Sequence, residues 1–443
     1  MHHTFQLDLT RPSGDATMRL PVPHRISKTL IHRIQSLFES LRFEDGPWSL
    51  LRIDKGLRYA LKTIFHRPGA TSPATPLHFE RSLQFVKSEA WRTPCPTPQA
   101  TIAAVGDLMW TGPRCAQPLS TGVLKLLKKA DLRFATLETA VAPSLPVPRF
   151  TYCRFNAPVS LLAPWRTMKG TTIFSLCNNH ALDFDLEGLE QTHAEVNGHP
   201  AHLSVGGPKK RQRVTFTEVN GLRIATTAFT YGINPWSHTQ DVSPPGIPVI
   251  NLGHPTHSPD WSLIEDLLAE CKQHRPDLTV VLPHWGYEFE YWPETLQRER
   301  AHRLLELGAD IILGSSTHVI QPMEIVSMDD WNPQCPTQLK RGGHPNPGLI
   351  FYSLGNFITT MPTAACRTGA VITLDLSVDD TGRLHLNDLK ATPTVATGGG
   401  MTRSPPMTVL LEEFANTGTS PNHFKPHIER LALPQNLLEG SPL

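Results

Sequence analysis

Polar side chains follow six short apolar segments of the sequence, each close to the point where its segment ends. We expect the segments to be parallel strands, whose carboxyl ends meet at one edge of a sheet, so these side chains should lie in one cleft. Carboxylate, amide and imidazole groups are ligands for Mn, Fe, Zn or Mg. A divalent ion held there would polarise a phosphoryl or carbonyl oxygen and lower the pKa of bound water. The polar residues are Asp107, Glu138, Asn178, Asn179, His180, His284, His318 and Asn356.

Each of these residues has a plainer interpretation when it is taken alone. An Asp that follows a strand commonly forms a turn or caps a helix, and a single loop His is commonly just a hydrogen-bonded side chain. The functional interpretation rests on the recurrence of this placement at six strand ends along one chain. Five other histidines lack the placement, and we interpret them as surface residues: His193, His199, His202, His254 and His257.

The elements that must position these residues are predicted from residue 101 onward, where short apolar segments alternate with amphipathic stretches. This alternation is typical of an α/β fold, and the near-continuous apolar character of the segments indicates burial on both faces. Asn220-Gly221 predicts a hairpin turn within a β pair at 213–229. Strands are predicted at 101–105, 133–137, 172–176, 278–282, 310–313, 349–353, 370–376 and 383–390, and helices at 122–129, 185–197, 258–273 and 294–307.

The sequence divides into four parts by composition. Residues 1–66 show helical periodicity and predict a helical accessory extension, with a membrane-surface or partner-binding helix as the alternative. Residues 67–99 are rich in proline, which resists helix and sheet, so they predict a linker. Residues 100–395 form the main domain, and residues 396–443 a loop-rich tail.

Charge and cysteine content exclude some classes of protein. The 41 Lys and Arg residues balance 40 Asp and Glu, so no net charge draws the chain to nucleic acid or to an anionic membrane. The seven cysteines form no CxxC pair and make a poor disulfide framework, which favours a reducing compartment. The sequence has no apolar run long enough for a transmembrane helix, and its first residues lack the pattern of a secretory signal. We therefore expect a cytoplasmic protein without a transmembrane segment.

A set of motifs, taken in order along the chain, resembles the CapA family of bacterial capsule and poly-γ-glutamate synthesis proteins. This family is related to the calcineurin-like metallophosphoesterases. The resemblance covers roughly 100–376, and it implies a metallophosphatase-like fold: two β-sheets packed as a sandwich and flanked by helices. The motifs are AVGDLM (104–109), TLET (136–139), NNHALDFDLEGLEQT (178–192), PHWGYEFEYWP (283–293), LGADIILGSSTHVIQPMEI (307–325) and FYSLGNFI (351–358).

The resemblance also implies roles for the residues that match its motifs. His180 is similar to the histidine that contacts the transferred group or acts as an acid, and we assign catalytic roles to His180 and His284. The residues similar to metal ligands are Asp107, Glu138, Asn179, His284 and His318.

Two positions depart from the pattern that the resemblance implies. The phosphoesterases have Asp-x-His where this chain has Met109 at the third position, and CapA-type chains usually have His-x-His where this chain has Ser316 before His318. A thioether and a neutral hydroxyl are poor ligands for a hard divalent ion. We therefore expect one bound ion rather than two.

Two functions from different classes are consistent with these residues. The first is a metal-dependent hydrolase or transferase in the synthesis of a poly-γ-glutamate-like or capsule-like polymer or of a peptide. It would act on an acyl or phosphorylated small molecule. The second is a non-catalytic accessory protein that binds an anionic polymer or supports a synthetase complex, its biosynthetic protein partner. Neither hypothesis involves nucleic acid.

Overall fold

The computed structural model describes most of the chain after residue 71. All of the described residues belong to Asp45–Leu443, the larger of two compact units. The predictions for residues 1–66 therefore lie outside the described residues. The described residues are 72–95, 97–113, 115, 118–147, 154–234, 244–250, 252, 259–343, 345–398, 406–417, 422, 424 and 427.

The first sheet has eight strands and is mixed. Its strand order is β15-β14-β13-β1-β2-β3-β4, and β12 also pairs with β1. The four strands from β1 to β4 run parallel, whereas β13 runs antiparallel to β1. The strands are β1 (Ala100–Met109), β2 (Leu132–Glu138), β3 (Thr171–Ser175), β4 (His202–Val205), β12 (Asn356–Ile358), β13 (Thr368–Val378), β14 (Leu384–Thr397) and β15 (Met407–Leu410).

The second sheet has seven strands in the order β10-β9-β11-β8-β7-β6-β5. Its centre is parallel, from β6 through β7 and β8 to β11, and β5 and β9 are antiparallel to their neighbours in that centre. The strands are β5 (Val214–Val219), β6 (Leu222–Thr230), β7 (Leu278–His284), β8 (Ile311–Leu313), β9 (Met323–Met328), β10 (Gln338–Leu339) and β11 (Pro347–Phe351).

The described helices connect and cover these strands. None of them is both long and apolar enough to cross a membrane. The α-helices are α1 (Ala74–Lys87), α2 (Thr121–Leu127), α3 (Asp185–Asn197), α4 (Trp261–Lys272), α5 (Thr295–Leu307), α6 (Ala364–Arg367) and α7 (Leu411–Ala415), and the 3₁₀ helices are Val159–Leu161, Trp165–Thr167 and Lys210–Gln212.

The main hydrophobic core lies between the two sheets. It combines Ile102 and Leu374 of the first sheet with Val280 and Leu349 of the second. A second core lies between the second sheet and helices α1, α4 and α5. The predicted α/β fold with two packed sheets and flanking helices is therefore confirmed. Each predicted strand and helix and the Asn220-Gly221 hairpin turn lie close to an observed element, although β1 and β14 are longer than predicted. Strands β4, β9, β10 and β12 were not predicted.

The prediction of a linker is wrong for the middle of residues 67–99. Helix α1 occupies this stretch, and the side chains of Phe79, Phe85 and Trp91 are buried in the two cores. The Trp91 indole nitrogen donates a hydrogen bond to the carbonyl of Val86 at 2.8 Å. The prolines that suggested a linker lie either before the helix or after residue 93, except for Pro76. Pro76 lies in the first turn of the helix, where proline is tolerated.

The described part of the tail after residue 396 contains more regular structure than predicted. Strand β15 pairs antiparallel with β14, and helix α7 follows it directly. Leu410 and Leu411 are buried at this junction. Each element is only four or five residues long, which is too short to show a clear hydrophobic period in the sequence.

The interpretation of His202 as a surface residue is wrong. The side chain is 2% exposed at the start of β4, and its ring contacts those of Phe174 and His199. Burial disfavours the charged imidazolium and lowers the pKa of His202 to about 4. His193 and His199 are half-buried, and His254 and His257 lie outside the described residues.

His202 should make the protein sensitive to mild acid. Between the ordinary His pKa near 6.5 and the folded value of about 4, His202 binds a proton only in the unfolded chain. Its contribution to the free energy of unfolding is therefore complete above pH 6.5 and is lost as the pH falls to 4. Urea unfolding at pH 7 and at pH 4.5 should show a His202 contribution on the order of 2 kcal/mol. A His202→Gln variant should lose less stability than wild type over this range. Equal acid losses in wild type and His202→Gln would contradict the assignment.

Candidate metal centre

The predicted site residues meet where the carboxyl ends of the parallel strands of both sheets face each other. Glu138 is the last residue of β2 and His284 is the last residue of β7. Asp107 lies within β1 rather than after it, because the strand continues to Met109 past an irregularity in its pairing with β2. Asp107 is also paired with Asn356 at the start of β12. The predicted convergence of these residues is therefore observed, but they come from two sheets and not from one edge of a single sheet.

Two buried carboxylates form the centre of the site. Asp107, Glu138 and His318 each place a potential ligand atom within 4.8 Å of those of the other two. Both carboxylates are fully buried. Among the described residues, no donor forms a hydrogen bond with Oδ1 of Asp107 or with either carboxylate oxygen of Glu138. Buried carboxylate oxygens without donors are costly unless a cation compensates them, so these residues fit a divalent metal ion and could hold one.

His284 contributes an imidazole that other side chains hold in place. Its Nε2 atom lies 2.9 Å from Oδ1 of Asn179 and 3.5 Å from Oε1 of Glu138. Its Nδ1 atom lies 2.9 Å from the hydroxyl oxygen of Ser315. A hydrogen bond at one ring nitrogen fixes the orientation of the other, which is how metal-binding histidines are usually held. Tyr231 stacks on the same ring.

His318 approaches the pair of carboxylates from the loop after β8. Its Nδ1 atom lies 3.8 Å from Oε2 of Glu138 and 3.1 Å from Oδ1 of Asn356. In the same loop, the backbone N–H of Ser316 donates to Oδ2 of Asp107 at 3.2 Å. Ser316 and His318 both have positive φ angles, 95° and 59°. Such conformations are unfavourable for residues other than glycine and are typically retained at functional sites.

His180 lies beside this group and has its own supporting residues. Its Nδ1 atom lies 2.6 Å from Oδ2 of Asp183, and the Phe155 ring stacks on the imidazole at 4.0 Å. Asn234 connects His180 to the other site residues, since it contacts Nδ1 of His180 and accepts a hydrogen bond from Asn179, each at 3.2 Å. Within the described part of the chain, Nε2 of His180 makes no hydrogen bond, so it can contact a bound molecule.

Burial and neighbouring charges shift the pKa values of these groups in different directions. Burial, followed by the charge of Glu138, raises the pKa of Asp107. Burial also acts to raise the pKa of Glu138, but His318 and His284 more than offset it and lower that pKa. For His180 and His318, burial favours the neutral ring, yet Asp183 and Glu138 respectively outweigh it and raise both pKa values. The site therefore has one firmly ionised carboxylate surrounded by imidazoles.

The residues at the two departures from the family pattern lie inside the site. Met109 is buried, and its sulfur accepts a hydrogen bond from the Thr359 hydroxyl at 3.5 Å. Ser316 is also buried and contacts Asp107 through its backbone. Asn178 has a supporting role, because its amide donates to the Leu137 carbonyl and its oxygen accepts from the backbone of His180.

The sequence did not identify the residues that orient the site histidines. Ser315 and Asn234 come from loops, and nothing in their local sequence distinguishes them from other polar loop residues. Asp183 did leave a signal, because it follows His180 by three residues in a turn and stands inside a motif already noted.

Comparisons with known proteins address the whole chain. A family model described as "Bacterial capsule synthesis protein PGA_cap" matches residues 101–361. The chain is 28% identical over 228 residues to the PGA biosynthesis protein CapA of Bacillus subtilis (strain 168), covering 50% of this chain and 52% of that protein. It is 27% identical over 254 residues to the capsule biosynthesis protein CapA of Bacillus anthracis, covering 55% of each. The chain thus matches about half the length of these curated relatives.

Solved structures show only distant similarity. A hypothetical protein from Thermus thermophilus has a TM-score of 0.34 at 13% identity and covers 66% of this chain and 98% of its own. The purple acid phosphatase PPD1 from yellow lupin (Lupinus luteus) seeds has a TM-score of 0.31 at 11% identity and covers 71% of this chain and 55% of its own. At these TM-scores neither similarity bears on the site. The family match extends over more than half of the 443 residues, and the chain belongs to the family of bacterial capsule synthesis proteins described as PGA_cap.

Proposed function

We propose that this protein is a metal-dependent hydrolase or transferase that acts on a phosphorylated or acyl intermediate in the synthesis of a poly-γ-glutamate-like or capsule-like polymer. The observation that carries the proposal is the pair of buried carboxylates, Asp107 and Glu138, whose inward oxygens receive no hydrogen bond from the described residues. The names of the curated relatives, which refer to PGA and capsule biosynthesis, support the polymer class.

We assign one divalent ion, Mn, Fe, Zn or Mg, to this centre. A bound ion would supply charge to polarise a phosphoryl or carbonyl oxygen and would lower the pKa of water. Ser315 contacts Nδ1 of His284, which leaves Nε2 facing Glu138, and Asn356 contacts Nδ1 of His318. The proposed ligands are Asp107, Glu138, Asn179, His284 and His318.

His180 is the proposed catalytic acid, with His284 as the second catalytic histidine. Asp183 holds Nδ1 of His180, so the ring presents Nε2 to a bound molecule. From that position the imidazole can donate a proton to a leaving oxygen or a hydrogen bond to a transferred group. Phe155 stacks on the ring and restricts its rotation, so the proton is held at a defined place.

A second function is favoured by Met109 and Ser316, which stand where the resemblance implies two histidines. A weakened centre would suit an accessory protein that binds an anionic polymer or a synthetase without catalysing a reaction. One relative, from Mycobacterium tuberculosis, is named as a probable polyglutamine synthesis accessory protein. The two functions differ in whether the metal-loaded protein turns over a substrate.

The test is hydrolysis of p-nitrophenyl phosphate and of bis(p-nitrophenyl) phosphate by the full chain. We expect hydrolysis after loading with Mn, Fe, Zn or Mg and none after treatment with a chelator. A His180→Gln variant should keep its metal content and lose about 100-fold or more in rate, because general acid catalysis typically contributes on the order of 10²–10⁴-fold.

The matched control is His385→Gln, which removes a different histidine–carboxylate pair, formed with Asp379 at the surface. This variant should keep the wild-type rate. A full chain that holds its metal, binds poly-γ-glutamate and hydrolyses neither ester nor an acyl ester would favour the accessory function instead.

A further inference from the structure

A second group of metal-ligating side chains lies on the opposite face of the second sheet from the main core. His78 comes from α1, His302 from α5 and Glu324 from β9. Glu324 stands between Met323 and Ile325, which face the core between the sheets, so its own side chain points to the face that the helices cover. None of these three residues takes part in the site described above.

The three side chains converge on one carboxylate oxygen. Nε2 of His78 lies 2.8 Å and Nε2 of His302 lies 3.1 Å from Oε2 of Glu324. All three residues place ligand atoms within 4.8 Å of one another. The other oxygen of Glu324 accepts a hydrogen bond from the Tyr352 hydroxyl at 2.7 Å, which fixes the carboxylate. This arrangement has the form of a metal site whose carboxylate is oriented by an outer hydrogen bond.

The contact of His78 with Glu324 is short but poorly aligned for a hydrogen bond. Nε2 of His78 is buried and, within the described residues, makes no hydrogen bond of acceptable geometry despite its 2.8 Å approach to Oε2. The nitrogen and the carboxylate oxygen are therefore close together without a well-aligned hydrogen bond, as two ligands of the same metal ion are. The side chain of His78 is 22% exposed, which leaves a route from solvent.

The charge of Glu324 needs a partner inside the protein. Its side chain is fully buried among Phe79, Val326 and Tyr352 in the second core. A buried carboxylate is unfavourable unless hydrogen-bond donors or a cation compensate it. A divalent cation would neutralise the carboxylate and use both imidazoles as ligands.

We propose that His78, His302 and Glu324 form a second metal site, distinct from the centre at Asp107 and Glu138, and that it binds zinc. Two imidazoles and one carboxylate suit zinc, which commonly takes three protein ligands and a water molecule, whereas Mg and Ca prefer oxygen ligands. Because His78 is on α1, before the family match begins at residue 101, the site belongs partly to a segment outside that match. Bound zinc would fasten α1 to β9 and α5.

Zinc content of the full chain tests the proposal. In a Glu138→Gln background, which disables the first centre, chelator-treated protein exposed to zinc and then desalted should retain about one zinc per chain. Adding His302→Gln or, separately, His78→Gln should remove it. The matched control is His385→Gln, whose isolated pair with Asp379 offers no third ligand, and it should keep the zinc.

A second measurement covers variants that fold poorly. Zinc should raise the thermal unfolding midpoint of the Glu138→Gln chain, and this shift should disappear when His302→Gln or His78→Gln is added. The midpoints measured without zinc show whether each added substitution also destabilises the fold. Cobalt in place of zinc should give the visible absorption of a four-coordinate site, lost in the same two variants. Retention of zinc and of the midpoint shift after either substitution would overturn the proposal, as would no zinc in the Glu138→Gln chain.

Discussion

Replacing Glu138 by glutamine is expected to remove the divalent ion from the first centre and to abolish most hydrolysis. Glu138 lies between His284 and His318, and no described residue donates a hydrogen bond to its oxygens, so the negative charge is available to a cation. Substitutions of residues that only orient metal ligands typically cost about 10–100-fold in affinity or activity. Loss of a ligand itself should exceed about 100-fold in activity.

Metal analysis and hydrolysis, measured on the same samples, check this expectation. The glutamine variant should hold about one ion fewer per chain than wild type, and a loss of two would contradict the one-ion prediction. Glu324→Gln is the matched control: it changes an equally buried carboxylate on the other face of the sheet and should keep the hydrolysis rate.

A Gly106→Ala substitution is expected to cost the largest amount of folding stability among single-methyl additions near the site. The added Cβ would lie 1.8 Å from the carbonyl oxygen of Gly355, and that oxygen also accepts the backbone hydrogen bond of Asp107. Neither backbone segment can move freely, because β1 is paired with β2, β12 and β13. Overpacking typically costs about 1–3 kcal/mol, and a backbone clash of this depth should cost about 3 kcal/mol or more.

Urea unfolding of the metal-free protein measures the cost, and metal affinity should fall with it because the substitution displaces Asp107. Gly232→Ala provides the comparison, since an alanine Cβ there meets no atom within 4 Å. That variant should remain within about 0.5 kcal/mol of wild type. Equal stability of the two variants would mean that β1 and β12 do not pack as closely as the structure describes.

Much of the fold and the site could be predicted from the sequence because their signals are local. A buried strand such as β7 is a mainly apolar segment, and the polar residue at its end stands out from the pattern around it. Glu138 and His284 could therefore be placed at strand ends before their sheets were known. That they come from different sheets could not be predicted, since the pairing of strands depends on contacts between distant parts of the chain.

The failures have equally specific physical causes. Proline content alone predicted a linker, but the prolines lie before α1, in its first turn or after residue 93. The composition therefore hid a helix whose Phe79 and Phe85 are buried. The partners of the site histidines, Ser315 and Asn234, act through loop conformation, and short polar loops carry no periodic signal. His202 was misplaced because a histidine at a strand start resembles a surface residue until the packing of Phe174 and His199 is known.

The packing of α1 means that residues before the family match cannot be removed without exposing the cores. Phe79, Phe85 and Trp91 cover parts of two cores, although all three precede residue 101, where the family match begins. A fragment that started there would expose this apolar surface to water. Uncovered apolar surface of this kind causes protein molecules to associate. Helix α1 and Trp91 therefore protect the sheets from aggregation, and the family boundary underestimates the length of the folding unit.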